Sequence, residues 1–139
     1  MEKDMLMEFL QKVDKDFTPR LSQKTDLSSF CDKLLANARL FVSYSDDGRI
    51  KGLVAIYAND FTRRYAYVPL VAVSPECRSQ GVAKALVYMA VAYVKDLGRD
   101  NIQTVGIHTS NPIALALYRK LGFRMVSENG NREYLELHL

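Results

Sequence analysis

The joint Val71-Ala72-Val73-Ser74-Pro75-Glu76-Cys77-Arg78-Ser79-Gln80-Gly81-Val82-Ala83 carries the first chemistry in this chain. An apolar run feeds a short Pro-containing turn, and Arg78-x-x-Gly81-x-Ala83 then opens a helical stretch. The first amides of a helix have no internal partner and point outward at the positive end of the helix dipole. Small residues at Gly81 and Ala83 let a bulky anion approach that backbone, while Arg78 and Lys84 add charge. In chemical terms this is a phosphate cradle. It is neither a Walker loop, which needs Gly-Lys-Ser/Thr, nor the dinucleotide Gly-x-Gly-x-x-Gly fingerprint. Taken alone, a helix with a polar entry turn accounts for the pattern as well.

A second segment follows: Asn111-Pro112-Ile113-Ala114-Leu115-Ala116-Leu117-Tyr118-Arg119-Lys120-Leu121-Gly122-Phe123. The two together, in a strand–helix–strand–helix context, resemble the GCN5-related N-acetyltransferases (GNAT superfamily). Arg78-x-x-Gly81-x-Ala83 is similar to that family's pyrophosphate-binding motif. Asn111-x-x-Ala114-x-x-x-Tyr118-x-Lys120-x-Gly122-Phe123 is similar to its second cofactor motif. The resemblance covers residues 40–139. It implies acetyl-CoA (coenzyme A) as the donor, with no metal. Val71, Ala72 and Val73 would lend backbone groups to the pantetheine arm, like an added strand. Arg78 and the amides of Ser79, Gln80, Gly81, Val82, Ala83 and Lys84 would hold the pyrophosphate. Asn111, with Ala114 one turn on, would meet the pantetheine where two central strands splay apart, and Tyr118 would stand close to the thioester sulfur.

Direct acyl transfer needs a neutral amine, a donor for the developing oxyanion and a proton for the leaving thiolate. A strand amide near Val71 serves as the oxyanion donor. Tyr118 is the natural general acid, since a phenol pKa of about 10 lies above that of a thiol; the alternative is that it only packs on its apolar helix stripe. Members of the family often carry a Glu on the strand before the cofactor motif. Here that strand reads Tyr65-Ala66-Tyr67-Val68-Pro69-Leu70, with no carboxylate. The base is then water held by Tyr65 or Tyr67, or His108, which ends a strand beside Asn111 and has a suitable pKa. Glu133 and Asp60 are further candidates, and a structural role for His108 stays open. Cys77 beside Arg78 admits an acyl-cysteine route; the competing reading is a packed thiol. Cys31 reads as core.

The elements that must position these groups follow from periodicity. Leu6, Phe9, Leu10 and Val13 recur at helical spacing and predict a first helix over 2–16, ended before Pro19. Asp26 reads as the N-cap of a second helix carrying Leu27, Phe30, Leu34 and Ala38 on one side. Leu40–Tyr44 and Ile50–Tyr57 flank Asp46-Asp47-Gly48-Arg49, a hairpin signature. Tyr65–Val73 is a third strand, where Pro69 signals an edge or a bulge. Ser79–Leu97 predicts a long helix with Val82, Leu86, Met89, Tyr93 and Leu97 on its central stripe, widened by Ala83, Val87, Ala90, Val91 and Val94, and Gly98 as its C-cap. Ile102–Ile107 is a strand, Asn111–Leu121 a helix, and Phe123–Ser127 with Arg132–Leu139 a closing hairpin.

This order makes a mixed α/β domain, read as a single unit over 1–139. The resemblance implies a mostly antiparallel central sheet of about six strands flanked by helices. The family begins with a strand before its first helix. This chain opens directly in helix, so that first strand is expected to be absent.

Composition closes off other classes. With 48% hydrophobic and 25% charged residues the chain is globular rather than disordered. Its longest apolar run, Ala85–Val94, is far short of the ~20 residues a membrane span needs. Two cysteines make no disulfide framework or zinc spacing, and the N-terminus has no apolar signal core, which reads as cytoplasmic. Net charge is +3 without a clustered basic stripe, so no nucleic-acid partner is expected. The acceptor is read as a small-molecule primary amine of the amino-sugar or sugar-nucleotide kind. Asp14, Asp16, Phe17, Arg20, Tyr57, Phe61, Arg63, Arg64, Tyr65 and Tyr67 are expected to flank its cleft. A peptide or protein acceptor, or a non-catalytic acyl-CoA sensor, is the alternative, and the chain is a monomer or homodimer.

Overall fold

The apolar spacing near the N-terminus forms the helix it predicts. In the computed structural model, which describes residues 1–130 and 132–139, α1 (Lys3–Val13) buries Leu6, Phe9, Leu10 and Val13. A short 3-10 turn at Asp14–Asp16 follows, then a four-residue helix, α2 (Leu21–Lys24), too short for periodicity to announce. α3 (Leu27–Asn37) is capped as expected: the Asp26 carboxylate accepts from the Ser29 N–H at 3.0 Å.

β1 (Arg39–Tyr44) and β2 (Ile50–Asp60) form the hairpin, whose turn places Gly48 at φ 84°, where an L side chain is strained. The remaining elements are β3 (Tyr65–Val73), α4 (Val82–Leu97), β4 (Thr104–Thr109), α5 (Pro112–Lys120), β5 (Arg124–Asn129) and β6 (Arg132–His138). The six strands lie in the order β1-β2-β3-β4-β6-β5. Only β3 and β4 pair parallel, through the crossover carrying α4; the other pairs are antiparallel. Among the described residues no strand precedes α1.

Helices cover both faces of the sheet. α4 and α5 pack over Val54, Ile56, Ala66, Val68, Val105 and Ile107, while α1 and α3 pack over Leu53, Ala55, Leu70 and Ala72. Two details differ from the periodicity. α4 starts at Val82 rather than Ser79, because Ser79 and Gly81 are held at φ 65° and 78°, outside helical geometry. Met89 is 52% exposed, so the buried face of α4 is Leu86, Val87, Ala90, Val91 and Val94.

Pro69 marks a bulge in a central strand, not an edge. Between the pairs Ala55↔Leu70 and Tyr57↔Tyr67, β3 places Val68 and Pro69 opposite the single residue Ile56. One extra residue reverses which face each side chain meets. Ala66 and Val68 accordingly join the core under α4, whereas Leu70 and Ala72 join the core under α1 and α3. Pairing with β4 runs from Tyr65↔Thr104 to Val68↔Ile107 and stops there. Pro69 has no N–H to continue it. Leu70–Val73 are therefore paired only to β2, and their other side opens into a cleft.

Candidate active site

The opening between β3 and β4 leads into a cleft of about 540 Å³ lined from both helical layers. The register shows which β3 groups face it. Ser74 N–H donates to Lys51 O at 2.9 Å, and the pairs continue as Gly52↔Val73, Leu53↔Ala72 and Val54↔Val71. Antiparallel pairs alternate between bonded and non-bonded. Ala72 therefore bonds β2, while the N–H and C=O of Val71 and Val73 turn into the cleft. Of the three residues expected to meet a pantetheine through the backbone, Val71 and Val73 present groups for it.

The left-handed turn at Ser79 and Gly81 delivers the chain into α4, and the amides of Val82, Ala83 and Lys84 have no partner within the helix. A Cβ on Gly81 would meet nothing within 4 Å, so the space over this backbone is open. Arg78, Ser79, Gly81, Val82, Ala83 and Lys84 line the cleft; Gln80 does not. Arg78 is already engaged: its guanidinium bonds the Asp16 carboxylate and donates to Val73 O at 3.3 Å. That removes part of the charge expected over the cradle.

Asn111 caps α5, its Oδ1 accepting from Ile113 N–H at 2.8 Å and Ala114 N–H at 3.3 Å. Its side-chain nitrogen has no partner among the described residues, so that donor remains for a ligand. One and two turns on, Ala114 and Tyr118 line the same cleft. Tyr118 is 2% exposed and lies against Phe123, ring centroids 5.9 Å apart. Burial raises its phenol well above the usual value and keeps it protonated.

Across the sheet lies His108, whose Nδ1 is 2.7 Å from the Tyr67 hydroxyl. Its ring also lies against that of Tyr134, tilted by 41° with centroids 4.7 Å apart. Desolvation, then the charges of Arg132 and Lys24, lower the His108 pKa, so the imidazole is neutral at pH 7. The Tyr67 phenol is raised, chiefly by burial. Tyr65 is elsewhere: its hydroxyl meets that of Tyr134 at 2.5 Å, and Tyr134 donates to Glu136 at 2.8 Å. Gly106 makes room for this pair, since a Cβ there would fall 1.9 Å from the Tyr65 hydroxyl.

Of the residues expected to flank an acceptor, Asp16, Phe17 and Tyr67 line the cleft; Asp14, Arg20, Tyr57, Phe61, Arg63, Arg64 and Tyr65 do not. Asp60 pairs with Arg63 at 3.7 Å, and neither it nor Glu133 lines the cleft. Cys77 is half-buried on the cleft wall as a free thiol, and Cys31 is fully buried in the core. Lys24 and Arg132 were not foreseen. Lys24 comes in through α2, which is tied to α1 by the Asp14 carboxylate accepting from Ser22 N–H at 2.7 Å and Ser22 Oγ at 2.6 Å. No sequence motif announces either residue.

The profile of the acetyltransferase (GNAT) family matches residues 6–123. GCN5-related N-acetyltransferase 6, chloroplastic, of Arabidopsis thaliana is 33% identical over 75 residues, which is 54% of this chain and 25% of that protein. The match thus spans about a quarter of that relative's length. A GNAT-family acetyltransferase structure from Staphylococcus aureus superposes with a TM-score of 0.75 at 17% identity, covering 99% of this chain and 92% of the other. PaiA N-acetyltransferase from Thermoplasma acidophilum, solved in complex with coenzyme A, gives 0.75 at 14% identity with the same coverage. In sequence profile and in fold, with a cleft suited to the family's acetyl-CoA donor, this chain belongs to the GNAT family of acetyltransferases.

Proposed function

We propose that residues 1–139 form one catalytic unit that moves the acetyl group of acetyl-CoA directly to a primary amine of a small molecule. The single observation that carries this reading is the cleft itself. It joins the unpaired side of β3, the α4 cradle and Tyr118 to Tyr67 and His108 from the opposite face. Bound acetyl-CoA supplies the thioester that is attacked and the thiolate that leaves.

The chain's own residues do the rest. Val71 N–H, turned into the cleft, donates to the oxygen on which charge grows. In the tautomer whose Nδ1–H donates to the Tyr67 oxygen, His108 keeps a lone pair on Nε2 to take the amine proton. Tyr118 stays protonated and donates to the sulfur on which charge grows; as the thiol forms, His108 releases the amine proton to solvent and Tyr118 regains one, which closes the proton balance. The amides of Val82, Ala83 and Lys84 hold the diphosphate. Asp16 is the only carboxylate among the described lining residues, and Arg78 neutralises it. This favours the His108–Tyr67 pair over a carboxylate base. The unit acts as a monomer or homodimer in the cytoplasm, where Cys31 and Cys77 stay reduced.

Thermal unfolding with CoA, acetyl-CoA and ATP, followed by thiol release against an amine panel, tests the reading. Ligand at 100 times Kd stabilises by about 2.7 kcal/mol. A shift with both CoA forms, little with ATP, and amine-dependent thiol release are expected. No shift with either CoA form overturns the cleft assignment; a shift without thiol release from any amine leaves an acyl-CoA-binding module.

A further inference from the structure

We propose that Lys24 and Arg132 form an anion clamp at the acceptor end of the cleft, so that the amine acetylated here also carries a carboxylate or a phosphate. This deepens the proposed function and rests on it. The charged side chains that line the cleft among the described residues are Asp16, Lys24, Arg78, Lys84 and Arg132. Asp16 and Arg78 satisfy each other. Lys84 stands in the first turn of α4, at the cradle. Lys24 and Arg132 are left, and among the described residues neither has a carboxylate within 4.0 Å.

Their placement is built rather than incidental. Leu21 is 3% exposed, and Lys24 lies one turn further along α2, whose position the Asp14–Ser22 bonds fix. Arg132 opens β6, two residues before Tyr134, which sits opposite His108 on β4. Side chains two apart on a strand share a face, so Arg132, Tyr134 and His108 lie on one side of the sheet. That is the side against which α1 and α3 pack, and the side on which Tyr67 meets His108. Electrostatics agree: Arg132 and Lys24 both disfavour a proton on His108, and Arg132 disfavours one on Lys24. Two cations that line the cleft with a neutral imidazole, and have no carboxylate within 4.0 Å among the described residues, repel an amine that is cationic throughout. An anionic group on the same molecule as the amine relieves that repulsion and orients the nitrogen toward His108.

The test compares two matched pairs, glucosamine phosphate against glucosamine and gamma-aminobutyrate against butylamine, with spermidine as the polycation. Thiol release yields kcat/KM, and calorimetry on the CoA-bound protein yields Kd for each amine. At least one member that carries the anionic group is expected to exceed its partner lacking that group by about 10-fold. The pair showing the larger ratio distinguishes phosphate from carboxylate. In Lys24→Gln and Arg132→Gln the ratio falls toward unity, Lys24→Arg restores it, and CoA affinity, read as a thermal shift, is kept. Amines lacking the anionic group that equal both members carrying it, spermidine as the best acceptor, or a ratio unchanged in both Gln variants overturns the clamp. If thiol release fails with every amine, the transfer reading falls, and the calorimetric ratio still decides the clamp.

Discussion

His108 Nδ1 and the Tyr67 hydroxyl lie 2.7 Å apart in the cleft, on neighbouring parallel strands. The bond holds the imidazole in one orientation, while desolvation, Arg132 and Lys24 resist its protonation. The folded state therefore takes up its His108 proton at lower pH than the unfolded chain, whose imidazole titrates near 6.5. His108 thus costs stability as pH falls through the unfolded value, and nothing above it. Melting temperatures from pH 7.5 down to 5 should fall more steeply for the wild type than for His108→Gln. In kinetics, the acid limb of kcat/KM should lie below pH 6.5 and move up in Arg132→Gln, where one repelling charge is gone. An acid limb that ignores both substitutions removes His108 as the base.

Tyr118→Phe deletes one buried hydroxyl and keeps the packing against Phe123. Turnover should drop by about 100-fold or more, the scale of a lost acid–base group. KM for acetyl-CoA should move little. Unchanged kcat would show that Tyr118 packs and donates nothing.

Gly81→Glu places a carboxylate where the diphosphate is proposed to lie, at a residue whose φ is 78°. Like charges in contact cost several kcal/mol, so Kd for CoA should rise by more than about 100-fold. Gly81→Ala carries the backbone strain, about 1–2 kcal/mol, without the charge. It serves as the control: both variants lose similar stability, and only Glu loses the cofactor-induced thermal shift.

Gly106→Ala drives a methyl group into the Tyr65 and Tyr134 hydroxyls, which an added Cβ would approach to 1.9 and 2.5 Å. Overpacking of this kind costs about 1–3 kcal/mol, measurable by denaturant unfolding. CoA affinity should survive, because these tyrosines lie outside the cleft lining.

Cys77→Ala should retain most activity, since direct transfer does not use the thiol on the cleft wall. A folded, inactive Cys77→Ala protein, together with an acetylated Cys77 by mass spectrometry, would establish the covalent route instead.

Local physics made much of this protein legible in its sequence. Leu6, Phe9, Leu10 and Val13 announce α1, Asp26 caps α3, and Asp47-Gly48 turns the first hairpin, because each depends on neighbours within a few residues. The helices that follow Arg78-x-x-Gly81-x-Ala83 and Asn111 were readable for the same reason: a helix start is made within one turn. The opposite side of the cleft was not. Tyr67, His108, Lys24 and Arg132 come from four separate elements, and they meet only after β3 pairs with β4, β6 closes against β4, and α2 docks under α1. The register decided that Tyr67 enters the cleft while Tyr65 turns to Tyr134, and Asp16 turned Arg78 from a free charge into half of an ion pair. Composition and spacing encode what a residue does to its own turn; which distant charge stands beside it is set by packing, and that is why the charges lining the far side of the cleft were not legible in the sequence.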